Sequence, residues 1–329
     1  MLEGKRILIT GGTGTFGKEC ARFLLAKYEL DKLIIFSRDE LKQFEMSQEI
    51  SPNVHPISFF IGDVTDKDRL YRAFDGIDYV IHGAAMKQVP ASERNPFEAV
   101  KTNVLGAQNV IDAAIDRGVS KVIALSTDKA VNPINLYGAT KLCSDKLFIA
   151  GNSYVGEKET SFSVVRYGNV MGSRGSVIPF FQAHKKKGYL PITDCKMTRF
   201  WITVEAGVEL VISALRNMEG GELFVPKIPS MAIVDLAEAI APECELREVG
   251  LRPGEKIHET LISMSDAPNT REFEDHYIVF PEYQWRSWSE KRKTEGKPVE
   301  GLFSYESNNN TEWLTVEQLR NLLAAKPSL

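Results

Sequence analysis

The 329-residue sequence predicts an α/β fold: a Rossmann-type doubly wound parallel sheet with a smaller C-terminal substrate-binding lobe. Three observations carry that expectation. Short apolar runs alternate with helical stretches through the first half, a glycine-rich loop joins the first run to the first helix, and the alternation loosens after residue 168. The strand candidates are Arg6–Thr10, Lys32–Ser37, Ile57–Ile61, Tyr79–His82, Lys121–Ser126 and Ser163–Tyr167. Each is short and rich in branched residues, as expected of strands covered on both faces. The helical stretches are Gly17–Lys27, Glu40–Ile50, Lys67–Ala73, Phe97–Asp116 and Tyr137–Ala150. Repeated βα units imply right-handed crossovers and a doubly wound sheet. Beyond residue 168 glycine and proline become frequent, with a helix at Val204–Arg216, a short strand at Leu223–Val225 and a last helix near Val316–Ala325. Thr315 and Gln318 offer that last helix a capping box.

Composition narrows the class. Hydrophobic residues at 43% and charged residues at 26% suit a folded enzyme with a sizeable core. A net charge of −4 gives no footprint for nucleic acid, and the run Lys185 to Lys187 reads as a solvated helix end. The four cysteines lie far apart with no CxxC pair, which fits a reduced cytoplasmic protein. The first strand begins within about five residues, leaving no room for a signal peptide. No apolar run reaches the ~18 residues of a membrane span.

The loop after the first strand reads Gly11-Gly12-Thr13-Gly14-Thr15-Phe16-Gly17. Glycines there let the backbone approach a pyrophosphate whose charge sits at the helix N-terminus, and the strand–loop–helix setting makes this a dinucleotide site. The second strand ends in Ser37-Arg38-Asp39. A hydroxyl and a guanidinium come where NAD sites usually place an acid, so NADP is the expected cofactor: Arg38 can fork onto a 2′-phosphate, with Lys42 one turn on. Asp63 and Val64 close the third strand beside the adenine, and Ala84 and Ala85 are small enough for the cofactor to lie against the backbone. Residues 1–168 are thus expected to form an NADP-binding domain with later strands interleaved. Residues 169–329 supply mainly the substrate lobe and the C-terminal tail.

Tyr137 and Lys141 form a Y-x-x-x-K pair, one helical turn apart. Tyr28/Lys32 and Tyr154/Lys158 repeat the spacing, but only Tyr137 opens a helix just past a strand C-terminus, where such sheets build their sites. A phenol needs a nearby positive charge to act as a base near neutrality, and the expected sources are Lys141, which can also hold the nicotinamide ribose, and the positive nicotinamide ring. Just upstream stands Thr127-Asp128-Lys129. Thr127 can orient a substrate oxygen. Asp128 and Lys129 exceed what a reductase or epimerase needs, and an extra acid and base beside a redox site suggest elimination of water next to a new ketone.

The runs STDKAVNPINLYGATKLCSDKLF, GGTGTFG, FSRDELKQ, AAMKQVP, RYGNVMGSRGSVIPFF, MTRFWIT and RPGEKIHE closely resemble those of the inverting UDP-N-acetylglucosamine 4,6-dehydratases, in the extended short-chain dehydrogenase/reductase superfamily. The resemblance implies that Tyr137 takes the 4-hydroxyl proton as carbon 4 is oxidised. Lys129 then acts at carbon 5, Asp128 helps expel the 6-hydroxyl, and hydride returns to carbon 6. Retaining relatives carry an Asp-Glu pair where this chain has Asp128-Lys129. The resemblance also implies that Lys87 touches cofactor or sugar, and that Asn169, Arg174, Arg199, Arg252 and Glu255 grip the UDP moiety. It further implies a homo-oligomer, with a hexamer in view, and a product of the pseudaminic acid pathway type. His258-Glu259 begins like a zinc motif, but Ile262 stands where the second His would be, so no metal is expected. Two rivals stay open: a UDP-N-acetylhexosamine 4- or 5-epimerase, and an NADP-sensing protein without catalysis.

Overall fold

The computed structural model describes residues 2–173, 175–283 and 288–325. In chain order the strands are β1 (Arg6–Thr10), β2 (Lys32–Ser37), β3 (Ile57–Ile61), β4 (Tyr79–His82), β5 (Lys121–Thr127) and β6 (Ser161–Tyr167). There follow β7 (Asn169–Val170), β8 (Tyr189–Ile192), β9 (Thr198–Ile202), β10 (Leu223–Pro226), β11 (Ser230–Ala232), β12 (Glu245–Glu248) and β13 (Thr260–Ile262). The last are β14 (Thr270–Glu272), β15 (His276–Val279), β16 (Lys297–Pro298) and β17 (Tyr305–Glu306). Among the described residues, β3-β2-β1-β4-β5-β6-β10 run parallel in that order, and β15, β14 and β16 extend the sheet antiparallel beyond β10. The strand interiors explain this choice. Ile7, Leu8 and Ile9 of β1 are all fully buried, each worth about 1.5–3 kcal/mol relative to exposure.

The helices that cover the sheet are α1 (Thr15–Lys27), α2 (Glu40–Glu49), α3 (Lys67–Ala73), α4 (Val89–Arg94), α5 (Pro96–Val100), α6 (Gly106–Arg117) and α7 (Leu136–Gly151). After them come α8 (Val177–His184), α9 (Val204–Asn217), α10 (Ile233–Ile240), α11 (Glu290–Thr294) and α12 (Val316–Ala324). The helix expected over 97–116 is instead α5, a π turn at Lys101–Leu105, and α6. A π turn adds one residue to a helical turn, which a 3.6-residue period cannot register. Asn103 lies in that turn, buried, and spans to the Met86 backbone and the Thr140 hydroxyl.

A second core, including Met171, Phe181, Leu190, Trp201, Met231 and Leu236, gathers outside the main sheet. Helix α12 adds Leu319 to it, and its expected capping box is formed by Thr315 and Gln318. The run Lys185 to Lys187 is an exposed single turn closing α8. Among the described residues, no helix is long and apolar enough to cross a membrane.

The C-terminal ends of β1, β4, β5 and β6 lie in register: Thr10 pairs with His82, His82 with Ala124, and Thr127 with Tyr167. His82 Nδ1 lies 2.8 Å from Thr10 Oγ1, which also accepts from the Ala84 N–H at 3.3 Å. Burial, with the Lys141 charge behind it, pushes the His82 pKa down to about 3. The unfolded imidazole protonates near 6.5 and the folded one does not, so this contribution is intact above pH 6.5 and is lost as pH falls from there toward 3. Between pH 6.5 and 5 the unfolding free energy should drop by about 2 kcal/mol from this group. His82→Gln should remove that part of the slope in urea titrations at the two pH values.

Candidate active site

The cofactor cradle forms where β1 meets α1. Gly11 has φ +67°, and a Cβ there would come within 2.9 Å of the Ala84 backbone, so only glycine serves. The first turn of α1 has no side-chain cap, which leaves its N–H groups for an anion. Thr13 and Gly17 are buried, Gly14 is exposed, and Thr15 and Phe16 are half-buried at this turn. At the end of β2, Ser37 is buried and its hydroxyl accepts from Gln43 Nε2 at 3.0 Å. That leaves its proton free for a cofactor oxygen. Arg38 is exposed and pairs with Asp63 at 3.2 Å, while Lys42 pairs with Asp39. Asp63 also accepts from the Thr65 N–H at 2.9 Å. Burial would raise the Asp63 pKa, but the Thr65 bonds and the Arg38 charge outweigh it and hold the group below the usual carboxylate range. Val64 packs against the place where a Gly106 side chain would be, and Ala84 and Ala85 are half-buried. These features fit a nicotinamide dinucleotide.

The candidate reacting groups stand at the end of β5. The chain leaves Thr127 through a single 3-10 turn, Asp128–Ala130. Asp128 is completely buried; its Oδ1 accepts from Thr127 Oγ1 at 2.9 Å and Lys129 Nζ at 3.0 Å. Its Oδ2 is buried with no hydrogen-bond partner among the described residues. Helix α7 is capped by Asn135, whose Oδ1 accepts from the Gly138 N–H at 2.8 Å. A Cβ on Gly138 would fall 2.1 Å from the Lys129 carbonyl oxygen. The first turn of α7 can therefore lie against the 3-10 turn only because that residue is glycine, and this brings Tyr137 beside Thr127, Asp128 and Lys129.

The electrostatics correct one expectation. Burial pushes the Tyr137 phenol up to about 12, and Asp128 adds to the rise; the Lys129 charge and a Thr127 hydrogen bond oppose it. The opposing charge comes from Lys129, not Lys141. The Lys141 ammonium turns to the Leu125 carbonyl oxygen at 2.7 Å, and burial lowers its own pKa despite Asp145 nearby. Burial also works against the charge on Lys129, but Asp128 and Glu259 overcome it and raise its pKa above the ordinary lysine range.

The other candidates are spread around this mouth. Lys87 is exposed; desolvation near its head and the Lys129 charge push its pKa down. Asn169 presents a buried Oδ1 with no partner among the described residues. Arg199, expected at the diphosphate, instead donates to the carbonyls of Thr198, Ile257 and Lys256 at 2.7, 2.9 and 2.9 Å. Three backbone carbonyls already occupy its fork, so in this arrangement it braces residues 256–259. Arg252 and Glu255 pair with each other at 3.8 Å on a loop held by Asn135 Nδ2, which donates to the Gly254 carbonyl at 2.8 Å. Arg174 lies outside the described residues. His258 is engaged by Thr198 at 2.8 Å.

Residues 7–281 match the polysaccharide biosynthesis protein family. The chain belongs to that family. It is 53% identical over 334 residues, covering 98% of both chains, to a protein of Campylobacter jejuni named UDP-N-acetylglucosamine 4,6-dehydratase (inverting). It is also 41% identical, covering 98% of this chain and 96% of the other, to a UDP-glucose 4-epimerase of Rickettsia conorii. Among solved structures it superposes on Pen from Bacillus thuringiensis with a TM-score of 0.88 at 38% identity, covering 99% of both chains. A dTDP-glucose 4,6-dehydratase from Streptomyces venezuelae with NAD bound gives a TM-score of 0.69 at 25% identity, covering 77% and 86%.

Sequence reasoning missed Gly138, Asn103, Gln43 and Glu259. Gly138 did leave a signal, because glycine in a helix costs about 0.5–1 kcal/mol relative to alanine and needs a reason. Gly138→Ala should separate α7 from the 3-10 turn. We expect a loss of about 1–3 kcal/mol in stability, seen by thermal melting, and at least about a hundredfold loss of turnover from the displaced phenol.

Proposed function

We propose that this site carries out the inverting 4,6-dehydration of UDP-N-acetylglucosamine, with NADP as its cofactor and Tyr137, Asp128 and Lys129 as its proton-handling groups. The chain is a hydro-lyase acting on a nucleotide sugar, and its fold takes a nicotinamide cofactor. The observation that carries the assignment of residues is the free Oδ2 of Asp128. A buried carboxyl oxygen without a partner is costly, and a sugar hydroxyl laid against Tyr137 and Thr127 would satisfy it.

The bound nicotinamide supplies the oxidation at carbon 4 and its reversal at carbon 6. Tyr137 takes the proton of the 4-hydroxyl, held by the Thr127 hydroxyl. The new ketone makes the carbon 5 hydrogen acidic, and Lys129 removes it, while Asp128 delivers a proton to the departing 6-hydroxyl. Passing a proton from Lys129 to Asp128 along their 3.0 Å contact readies both groups at once. A solvent-derived proton added to carbon 5 on the opposite face gives the L-arabino 4-keto sugar, and Tyr137 releases to solvent the proton it took from the 4-hydroxyl. Lysine after Asp128, where retaining relatives have glutamate, supports inversion. Lys141 holds the nicotinamide ribose. The second core and the Arg252/Glu255 loop form the substrate lobe, with Asn169 presented to the nucleotide. The likeness to a 4-epimerase favours a second reading, but an epimerase has no use for Asp128.

Three outcomes test this reading. Arg38→Ala should weaken NADP binding by about tenfold or more while leaving NAD binding unchanged, followed by fluorescence titration, because a charge-assisted phosphate contact is worth about 1.5–3 kcal/mol. Asp128→Asn should retain oxidation and lose dehydration, leaving reduced cofactor visible by absorbance; wild-type turnover would remove Asp128 from the elimination. The decisive experiment is proton NMR of UDP-N-acetylglucosamine mixed with the protein and NADP in deuterated water. A new 6-deoxy methyl signal with deuterium at carbon 5 and L-arabino couplings is expected; a product epimerised at carbon 4 with its 6-hydroxyl intact would establish the epimerase instead.

A further inference from the structure

Glu259 lies at the end of the loop that leads into β13, 130 residues after Lys129, yet it is buried with 2% exposure and its Oε1 is 3.3 Å from Lys129 Nζ. Its Oε2 is buried with no hydrogen-bond partner among the described residues. The backbone around it is held on both sides. Ser307 Oγ accepts from the Glu259 N–H at 2.9 Å, and the Ser307 N–H donates to the Glu259 carbonyl at 2.8 Å. Arg199 clasps the carbonyls of Lys256 and Ile257 and brings its Nε to 3.8 Å from Glu259 Oε1. Lys256 reaches back to the Val131 carbonyl at 2.6 Å, just past the 3-10 turn. A buried carboxyl held this firmly is costly unless it compensates a charge, and the ammonium in reach is that of Lys129.

We propose that Glu259 is a positioning residue for the proton transfer at carbon 5: it fixes the Lys129 ammonium between two carboxyls and sets the pH range in which the Asp128/Lys129 pair keeps its single shared proton. The proposal rests on the acid–base roles given above to Asp128 and Lys129. The active pair holds one proton, which Lys129 can pass to Asp128; the nitrogen then receives the carbon 5 proton as Asp128 gives its own to the leaving hydroxyl, so the pair ends as it began. Losing that shared proton at high pH ends activity. The charged and titratable groups around Lys129 come from every packed element: Asp128 on its own turn, Tyr137 on α7, Lys87 after β4, Arg199 on β9, and Lys256 and Glu259 before β13. Of these, Asp128 and Glu259 are the two carboxyls within 4 Å of Lys129 Nζ. Replacing Glu259 with neutral glutamine removes support for the ammonium, so its pKa falls.

The test is Glu259→Gln in the NADP-loaded protein, with Glu259→Asp and Lys129→Met alongside. In Glu259→Gln the alkaline limb of the turnover profile should move to lower pH by about one unit or more. Deuterium incorporation at carbon 5 should slow by about tenfold, while the first formation of reduced cofactor keeps its wild-type rate. Glu259→Asp, which keeps the charge on a shorter arm, should leave the limb in place and still slow deuterium incorporation. It also serves as the readout if the glutamine variant fails to fold. An unmoved alkaline limb in a folded Glu259→Gln protein overturns the proposal, as does an equal loss of oxidation and exchange, which would make Glu259 a structural brace only. Lys129→Met should abolish exchange. If it does not, the acid–base reading itself is wrong, and that failure is distinct from the failure of Glu259 alone.

Discussion

The site is organised around one constraint: a carboxyl at Asp128 that has been taken wholly out of water. Such a group is tolerated only where donors meet it, and each donor fixes a different part of the chain. Thr127 ties it to the end of β5, Lys129 ties it to the 3-10 turn, and Lys129 in turn meets Glu259, 130 residues further along the chain. Gly138 then allows α7 to close over the group. The same closure that hides Asp128 therefore places the phenol of Tyr137 beside Thr127, Asp128 and Lys129.

Arg199 shows how the lobe is coupled to this arrangement. A guanidinium offers donors in a rigid fork, and here the fork is spent on the carbonyls of Thr198 on β9 and of Lys256 and Ile257 on one loop, with Glu259 beside it. The loop it holds carries Glu259 at one end and Arg252 and Glu255 at the other. The Arg252–Glu255 pair and the carboxyl that meets Lys129 thus share one braced segment.

Much of this was legible in the sequence because it is local. The six early strands follow from apolar runs, the cradle from Gly11 to Gly17, and the Thr127–Lys141 constellation from spacing within a single strand–turn–helix unit. What was not legible is what folding brings together from afar or hides in backbone geometry. Glu259 meets Lys129 across 130 residues, and no periodicity points at such a pair. The π turn at Lys101–Leu105 breaks the helical period that would have revealed it. Arg199 carried the right chemistry for a diphosphate, but its burial against three carbonyls depends on a loop whose path the sequence does not disclose. Lys141 was read correctly as lying near Tyr137 in sequence, while its ammonium points to Leu125 instead.

The strand order has a consequence for how the chain is made. Strand β6 ends at Tyr167, but its outer neighbour β10 begins only at Leu223, after the excursion through β7, β8, β9 and α9. While the ribosome adds those intervening residues, β6 stands as the bare margin of the sheet. It is a seven-residue strand whose every position is destined for burial. Unpaired apolar edges recruit other chains, so synthesis passes through an interval in which the nascent protein is most prone to cling to its neighbours or to call on a chaperone. Release from that state comes with the arrival of Leu223–Pro226.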